Sequence, residues 1–310
     1  MSLSLVLAGI AALAACAANA RAEKEVAPED TAPASLLETG FGTLPTRTFS
    51  PQYPLWSDGA TKQRVVYLPA GSKIDAADAD AWQLPIGTKL WKQFAYDGAL
   101  TETRYMERTP RGWIYATYDA TGARADARGV RGEHPLPSEA ECRACHANGK
   151  TPVLGFSALQ LSTDRDPNAP HAEAPGEIDL ATLLVEGTLV APATMFVPPR
   201  IPGPPVERAA VGYLHGNCSG CHREGGALDS LGMFLDAAHA RQTTIDRESH
   251  FVTEHARVRI APGRPDESVL LSRVGSRDAA TQMPPLGTRV VDDAAVRTLR
   301  TWIATLPETP

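Results

Sequence analysis

The pattern with the most specific chemistry in this chain is C-x-x-C-H, which occurs twice, at residues 142–146 and 218–222. Residues three apart lie on one face of a helical turn, so both thiols can add to the vinyl groups of one porphyrin while the next histidine reaches the iron. Only five cysteines and eight histidines occur in 310 residues, and two such runs rarely arise by chance. The pattern therefore predicts two covalently bound c-type haems, attached and ligated through Cys142, Cys145, His146, Cys218, Cys221 and His222.

Met283 is the predicted sixth ligand of the second haem. It lies in the run Q-M-P-P-L-G-T at 282–288. A thioether is a soft ligand that suits haem iron, and His/Met ligation raises the reduction potential. The two prolines fix φ and remove backbone donors, which favours a rigid loop around the sulfur.

For the first haem, the sequence favours Met195 as the sixth ligand. A weak internal repeat supports this choice, because a Leu-Leu run at 183–187 precedes Met195 with the same spacing that separates the run at 270–275 from Met283. An open coordination position is one alternative, and three other side chains compete: His134, His171 and Met106. Met233 is interpreted as a core residue, and His215 as a residue on a helix surface.

Paired cysteines also occur in thioredoxin-like dithiols and in zinc sites. No βαβ pattern surrounds either pair in this chain, and no second C-x-x-C lies at zinc-ribbon spacing. Haem attachment is therefore the favoured interpretation. Two arginines are candidate partners of the haem propionates: Arg273 and Arg289.

The N-terminus predicts export from the cytoplasm. Residues 1–22 contain an apolar run that is too short and too rich in small residues for a membrane span, although no Lys or Arg precedes it. The fifth cysteine, Cys16, ends the run L-A-A-C, which resembles a lipobox, so a lipid on Cys16 would be the only membrane contact. A plain signal peptide cleaved after Ala20 or Ala22 is the alternative. Both interpretations place the chain in the periplasm, where c-type haem is attached.

Composition limits the other function classes. The net charge is −6 and no basic run occurs, so nucleic acid is not expected as a partner. Hydrophobic residues make up 43% and charged residues 21%, as in ordinary globular proteins. The length leaves room for two or three small domains.

The predicted fold class is a multidomain α+β protein, in which an N-terminal antiparallel β-rich domain (a sandwich or a small barrel) precedes mainly α cytochrome c domains. Short β-type runs and four of the five tryptophans occupy the first part; core packing is the favoured role for these rings, with a sugar- or partner-binding surface as the alternative. The expected boundaries are a tether at 23–36, the β-rich domain at 37–135, the first haem region at 136–196, a proline-rich linker at 197–205 and the second cytochrome domain at 206–310.

Local patterns predict individual elements. Ser138 and Glu141 form a capping box ahead of the first C-x-x-C-H, and a hairpin joins strands at 101–107 and 112–117. Helical periodicity and caps predict four further helices at 178–186, 207–217, 266–274 and 292–306.

The chain resembles the bacterial dihaem c-type cytochromes that are encoded with, or fused to, quinoprotein sugar dehydrogenases. The resemblance covers most of the chain after the tether. It rests on P-L-W-S-D-G-A at 54–60, on the first C-x-x-C-H with V-L-G-F at 153–156, on Y-L-H-G-N-C-S-G-C-H at 213–222, and on the methionine run at 282–288. The last two runs are typical of cytochrome c domains in general, whereas the first points to this family. The resemblance implies an electron carrier that serves periplasmic redox proteins, with a quinoprotein dehydrogenase among them.

Three functions are compatible with these patterns. The favoured one is an electron carrier with two six-coordinate haems and no catalytic residue. The second is a dihaem oxidoreductase, resembling a peroxidase, with an open first haem. The third is a redox-sensing or binding module whose β-rich region binds a glycan or a protein.

Overall fold

The computed structural model describes residues 31–125, 130–131, 134–147 and 149–308, with backbone alone at 130–131 and 134–135. The predicted export signal at 1–22, including Cys16, lies outside the described residues, as does the side chain of His134. The segment Ala32–Pro310 forms one compact unit. Within the described part, no helix is both long and apolar enough to cross a membrane.

A five-stranded antiparallel sheet, with strand order β1-β2-β4-β5-β6, forms the N-terminal part of this unit. The predicted hairpin between β5 and β6 is confirmed, closing at Thr109 opposite Gly112. Two small sheets pair β3 with β9 and β7 with β8. The strands are β1 Arg47–Thr48, β2 Thr61–Tyr67, β3 Ile74–Asp75, β4 Lys89–Tyr96, β5 Ala99–Thr109, β6 Gly112–Asp119, β7 Val130–Arg131, β8 His134–Pro135 and β9 Leu189–Val190.

Strand register sorts the side chains of the sheet onto two faces, because successive residues point to opposite sides. On one face, an apolar row runs across β2, β4, β5 and β6: Val66, Leu90, Met106 and Tyr115. The next row on the same face is polar: Arg64, Lys92, Arg104 and Thr117. The opposite face carries a separate aromatic core that includes Trp91, Tyr105 and Tyr118.

The end of the predicted tether packs on this second face. Ala32 is buried in the aromatic core. The Leu36 N–H donates to the Gly122 carbonyl at 2.9 Å, and the Tyr118 hydroxyl donates to the Pro33 carbonyl at 2.9 Å. The last part of the predicted tether, from Ala32 to Leu36, is therefore packed on the sheet, and residues 23–30 lie outside the described part.

The helices lie in the second half of the chain. The predicted capping box is confirmed at the start of α1, where Ser138 and Glu141 cap each other. Helices α3 and α6 pack together around Leu214, Leu299 and Trp302, the centre of the second core. The helices are α1 Glu139–His146, α2 Leu180–Val185, α3 Pro205–Asn217, α4 Ala240–Thr244, α5 Val269–Val274 and α6 Asp293–Thr305.

The expectation of mainly α haem domains is wrong. A β-rich N-terminal region is present, but helices make up only 24% of the structure and strands 19%. Between α1 and α2, and between α3 and α5, the chain consists chiefly of turns and bends. Glycine and proline recur between α1 and α2 and disfavour helix propagation there, and four glycines lie in and just after the second motif, within residues 220–232.

Candidate functional site

The first C-x-x-C-H forms the C-terminal part of α1. Helical spacing brings Cys142 and Cys145 to one side of the helix, where Cys142 is buried and Cys145 is half-buried. The capping box fixes the start of the helix, and the Thr117 hydroxyl of β6 donates to the Pro137 carbonyl at 2.8 Å just before it. The sheet therefore sets the position of the motif.

His146 has one ring nitrogen committed and the other available. Its Nδ1 lies 2.6 Å from the Pro152 carbonyl oxygen. A carbonyl can only accept, so Nδ1 carries the proton and Nε2 keeps its lone pair, which is the tautomer that ligates a metal. Burial lowers the pKa of His146 to about 4, which keeps the imidazole neutral at pH 7. The His146 and Tyr115 ring centroids are 5.5 Å apart.

The second C-x-x-C-H follows the end of α3. The Cys218 N–H donates to the Leu214 carbonyl at 2.9 Å, and the His222 N–H donates to the Cys218 carbonyl at 3.0 Å. These bonds continue the helical path through the motif although α3 ends at Asn217. His222 is buried, and burial lowers its pKa.

The predicted methionine loop is tied to the end of α5. The Met283 N–H donates to the Arg273 carbonyl at 2.9 Å, and the Arg273 Nε donates to the Thr281 carbonyl at 2.9 Å. The Arg273 guanidinium also stacks 4.6 Å from the centre of the Phe251 ring. These contacts fix the backbone on which the Met283 sulfur is carried.

A single cavity of about 750 Å³, called the shared cavity here, is lined by both motifs and the methionine loop. Ligand pockets in proteins typically measure roughly 300–1,000 Å³. The pKa of the Cys145 thiol is raised first by burial and then by Cys221, so the two motifs lie near each other. The predicted site residues that line it are Cys142, Cys145, His146, Cys218, Cys221, His222 and Met283.

A segment of the β-rich region closes the shared cavity beside the second C-x-x-C-H. The Trp56 N–H donates to the Asn217 Oδ1 at 2.7 Å, and the Asn217 Nδ2 donates to the Pro54 carbonyl at 3.3 Å. The Asp58 carboxylate accepts the N–H groups of Arg289 and Val290, each at 3.0 Å. The run at 54–60, which carries no catalytic chemistry of its own, thus joins the second motif to the end of the methionine loop.

Two glycines on α3 allow this segment to approach. A Cβ at Gly212 would overlap the Tyr53 ring, and a Cβ at Gly216 would overlap the Tyr53 carbonyl. Tyr53 is buried at this contact. The close approach of backbone to side chain explains why glycine is required here.

The structure separates the competing sixth ligands of the first haem. Met106 lines the shared cavity, whereas Met195 is buried in the core and does not line it. His171 also lies off the lining: its Nε2 is 2.8 Å from Asp292 and its ring stacks 4.7 Å from Trp56. Two residues that the sequence did not favour as site residues also line the shared cavity: Met233 and His215.

Sequence reasoning missed a row of three cations, which we call the cation row: Arg64, Lys92 and Arg104. All three line the shared cavity. Their strands show the alternation expected of a sheet, but only the pairing register brings them side by side. Of the two arginines proposed from the sequence for propionates, Arg273 lines the shared cavity and Arg289 does not.

The residues fit a covalently attached haem. Each motif supplies two thiols and an imidazole, and Nε2 of His146 is left free by the bond to Pro152. The lining is mainly apolar, with cations at one wall. In the described part, no group of three or more His, Cys, Asp or Glu side chains is arranged to hold a metal ion.

Comparison with known proteins gives no match to a family model, to a curated protein or to a solved structure. The resemblance to dihaem cytochromes stays a prediction from the motifs.

Proposed function

We propose that this chain is a dihaem c-type cytochrome that carries single electrons between redox partners. The first haem would be attached at Cys142 and Cys145, and the second at Cys218 and Cys221. The observation that carries the proposal is that both C-x-x-C-H motifs line one mainly apolar cavity. Bound haem supplies one-electron Fe(II)/Fe(III) chemistry, and the protein tunes it through axial ligands, burial and hydrogen bonds.

His146 and His222 are the proposed proximal ligands. The hydrogen bond from His146 Nδ1 to the Pro152 carbonyl orients the ring and raises the basicity of Nε2. Burial favours the neutral imidazole in both histidines. The chain therefore presents each imidazole in the protonation state that binds iron.

We propose methionine sulfur as the sixth ligand at both haems. Met283 shares the cavity with His222, and its loop is tied to Arg273. For the first haem we favour Met106 over Met195, because Met106 lines the cavity and its neighbour in register, Tyr115, contacts the His146 ring. Both are methionines, so the preference for Met106 rests on its place at the cavity wall.

The shared cavity supports electron exchange within the chain. Both attachment sites border one cavity, and Cys221 raises the pKa of the Cys145 thiol. Two haems held there would therefore be close neighbours. An electron taken up at one haem could pass to the other without leaving the protein. Apolar walls exclude water and raise reduction potentials.

The proposed location is the periplasm, reached through the N-terminal export signal, and a lipid on Cys16 would anchor the chain to the membrane. Proposed partners are periplasmic redox proteins, including a quinoprotein dehydrogenase. Both proposals rest on the sequence motifs.

The test is the intact mass of the protein after expression with the c-haem maturation machinery. We expect two covalent haems per chain in the wild type, and one in each paired cysteine variant, Cys142→Ala/Cys145→Ala and Cys218→Ala/Cys221→Ala. A wild-type chain without covalent haem would contradict the proposal. A high-spin haem that binds carbon monoxide or reacts with peroxide would instead support the haem enzyme.

A further inference from the structure

The cation row lies on the sheet face that borders the shared cavity. Arg64 on β2 pairs in register with Lys92 on β4, and Lys92 pairs with Arg104 on β5. Directly opposite residues have side chains about 4.5–5.5 Å apart at Cβ. Like charges placed so closely destabilise a sheet unless anions lie beside them.

Carboxylates of the protein itself form ion pairs with two of the three cations. Arg64 Nη1 lies 2.5 Å from Glu173 Oε2, and Arg104 Nη2 lies 2.6 Å from Glu102 Oε1. Lys92 differs from both arginines, because its ammonium makes no hydrogen bond or ion pair among the described residues. Its Nζ lies 4.7 Å from the centre of the Phe94 ring, a contact that leaves its donors unused.

Lys92, which is half-buried, is therefore the member of the row with no carboxylate paired to it. Burial first, and then Arg64, Lys62 and Arg104, hold the pKa of Lys92 well below its ordinary value, and the Glu173 carboxylate that pairs with Arg64 offsets this only in part. An ammonium in this position is costly without a counterion. A carboxylate beside it would restore the charged form and satisfy its donors.

The cation row adjoins the first motif rather than standing apart from it. Thr117, the register neighbour of Arg104, donates to the Pro137 carbonyl just before α1. One row further along the same face, Tyr115 contacts the His146 ring, and the Arg143 guanidinium lies 5.4 Å from the centre of the Tyr115 ring. A group attached at the first motif would thus have the row along its edge.

We propose that Lys92 binds a propionate carboxylate of the first haem, with Arg64 and Arg104 flanking it. The inference rests on the proposed haem attachment and deepens it, because it assigns an anion-binding role that the sequence did not indicate. Lys92 acts here as a positioning residue, which holds the haem edge and adds positive charge beside it. Positive charge near the iron disfavours the oxidised state and raises the reduction potential.

The test uses the haem-loaded protein and three variants: Lys92→Gln, Lys92→Arg and Lys89→Gln. Lys89 is the matched control, because it lies on the same strand but faces away from the shared cavity and donates to the Thr39 carbonyl at 2.9 Å. We would measure the intact mass, the reduction potentials and the propionate vibrations in the resonance Raman spectrum. In Lys92→Gln we expect two haems to remain and a propionate band to shift. We also expect the equilibrium between the oxidised and reduced forms of one haem to shift toward the oxidised form on the order of tenfold. Lys92→Arg should restore both properties, and Lys89→Gln should leave both unchanged.

Three outcomes would overturn the inference while leaving two covalent haems in place. The first is an unchanged propionate band in Lys92→Gln. The second is conversion of one haem to high spin, which would make Lys92 an axial ligand. The third is a potential and a band that respond to added acetate in the wild type but not in Lys92→Gln, which would make the anion a solute. Absence of covalent haem from the wild type would instead refute the proposed function itself.

Discussion

The backbone N–H of Trp56 donates to the side-chain oxygen of Asn217 at 2.7 Å. This bond joins a segment of the β-rich region to the residue immediately before Cys218. The Asn217 amide also donates to the carbonyls of Pro54 and Tyr213, at 3.3 and 3.1 Å. One side chain therefore fixes the end of α3, the second motif and the closing segment relative to each other.

Asn217→Ala should destabilise the protein by about 1–3 kcal/mol, because it leaves a part-buried Trp56 N–H without its acceptor. Urea unfolding of the haem-loaded protein at pH 7 measures the effect. Asn168→Ala is the control, since Asn168 is exposed and should change the free energy of unfolding by less than about 0.5 kcal/mol. Equal stabilities of the two variants would contradict this role for Asn217.

Gly212→Ala should cost about 1–3 kcal/mol through overpacking, because the added methyl would overlap the buried Tyr53 ring. Thermal unfolding of the haem-loaded protein measures the effect. The close contact between Gly212 and Tyr53 would be disproved by a Gly212→Ala variant that is as stable as the wild type.

Met283→Ala should remove the far-red charge-transfer band of methionine-ligated ferric haem from one of the two haems and lower the reduction potential of that haem. Met233→Leu is the control, because Met233 also lines the shared cavity and leucine conserves its volume. Optical spectra and a redox titration provide the measurement. Loss of the band in Met233→Leu but not in Met283→Ala would reverse the assignment.

The first haem can be tested with a matched pair, Met106→Ala and Met195→Ala. Both methionines are buried, so both changes should destabilise by about 2–5 kcal/mol. Met106→Ala alone should convert one haem from low to high spin, because only Met106 lines the shared cavity. A spin change in Met195→Ala but not in Met106→Ala would identify Met195, which the internal repeat favoured, as the sixth ligand.

Asp292→Asn should show a pH-dependent loss of stability. Burial alone would raise the Asp292 pKa, but hydrogen bonds from His171 and the Ala295 N–H outweigh it, and the pKa is lowered. A lowered folded pKa stabilises the protein above the ordinary Asp value of about 3.9, and the gain disappears as the pH falls through the folded pKa. The variant should therefore be about 1–3 kcal/mol less stable at pH 7.

Chemical unfolding across the pH range measures this difference, which should shrink as the pH falls below about 4. The control is Asp293→Asn, because Asp293 is exposed on the first turn of α6 and should change stability little. A difference between wild type and Asp292→Asn that is constant from pH 3 to pH 7 would contradict the ionic role, since about 3.9 is the ordinary Asp value.

The capping box at Ser138 and the β5–β6 hairpin could be predicted because each depends on neighbours within a few residues. The helix expected at 207–217 also formed, as Pro205–Asn217. The expected mainly α domains did not, because long stretches of turns and bends separate short helices. Local propensity predicted where helices start but not how little of each region they fill.

The shared cavity and the cation row depend on contacts between residues far apart in the chain. Nothing local to Lys92 indicates that Arg64 and Arg104 lie beside it, because strand register is set by the whole sheet. Likewise, the choice between Met106 and Met195 depends on which side of a packed core each one faces. The internal repeat favours Met195 and the cavity lining favours Met106, so the two methionine variants decide between them.

Electron paramagnetic resonance of the fully oxidised, haem-loaded wild type tests the central claim most directly. If both motifs hold six-coordinate haems in the shared cavity, the spectrum should contain two low-spin ferric signals per chain that are broadened by their mutual interaction. Separate, unbroadened signals would contradict the close placement of the two haems. A high-spin signal from one haem would contradict six-coordinate ligation and favour an open first site.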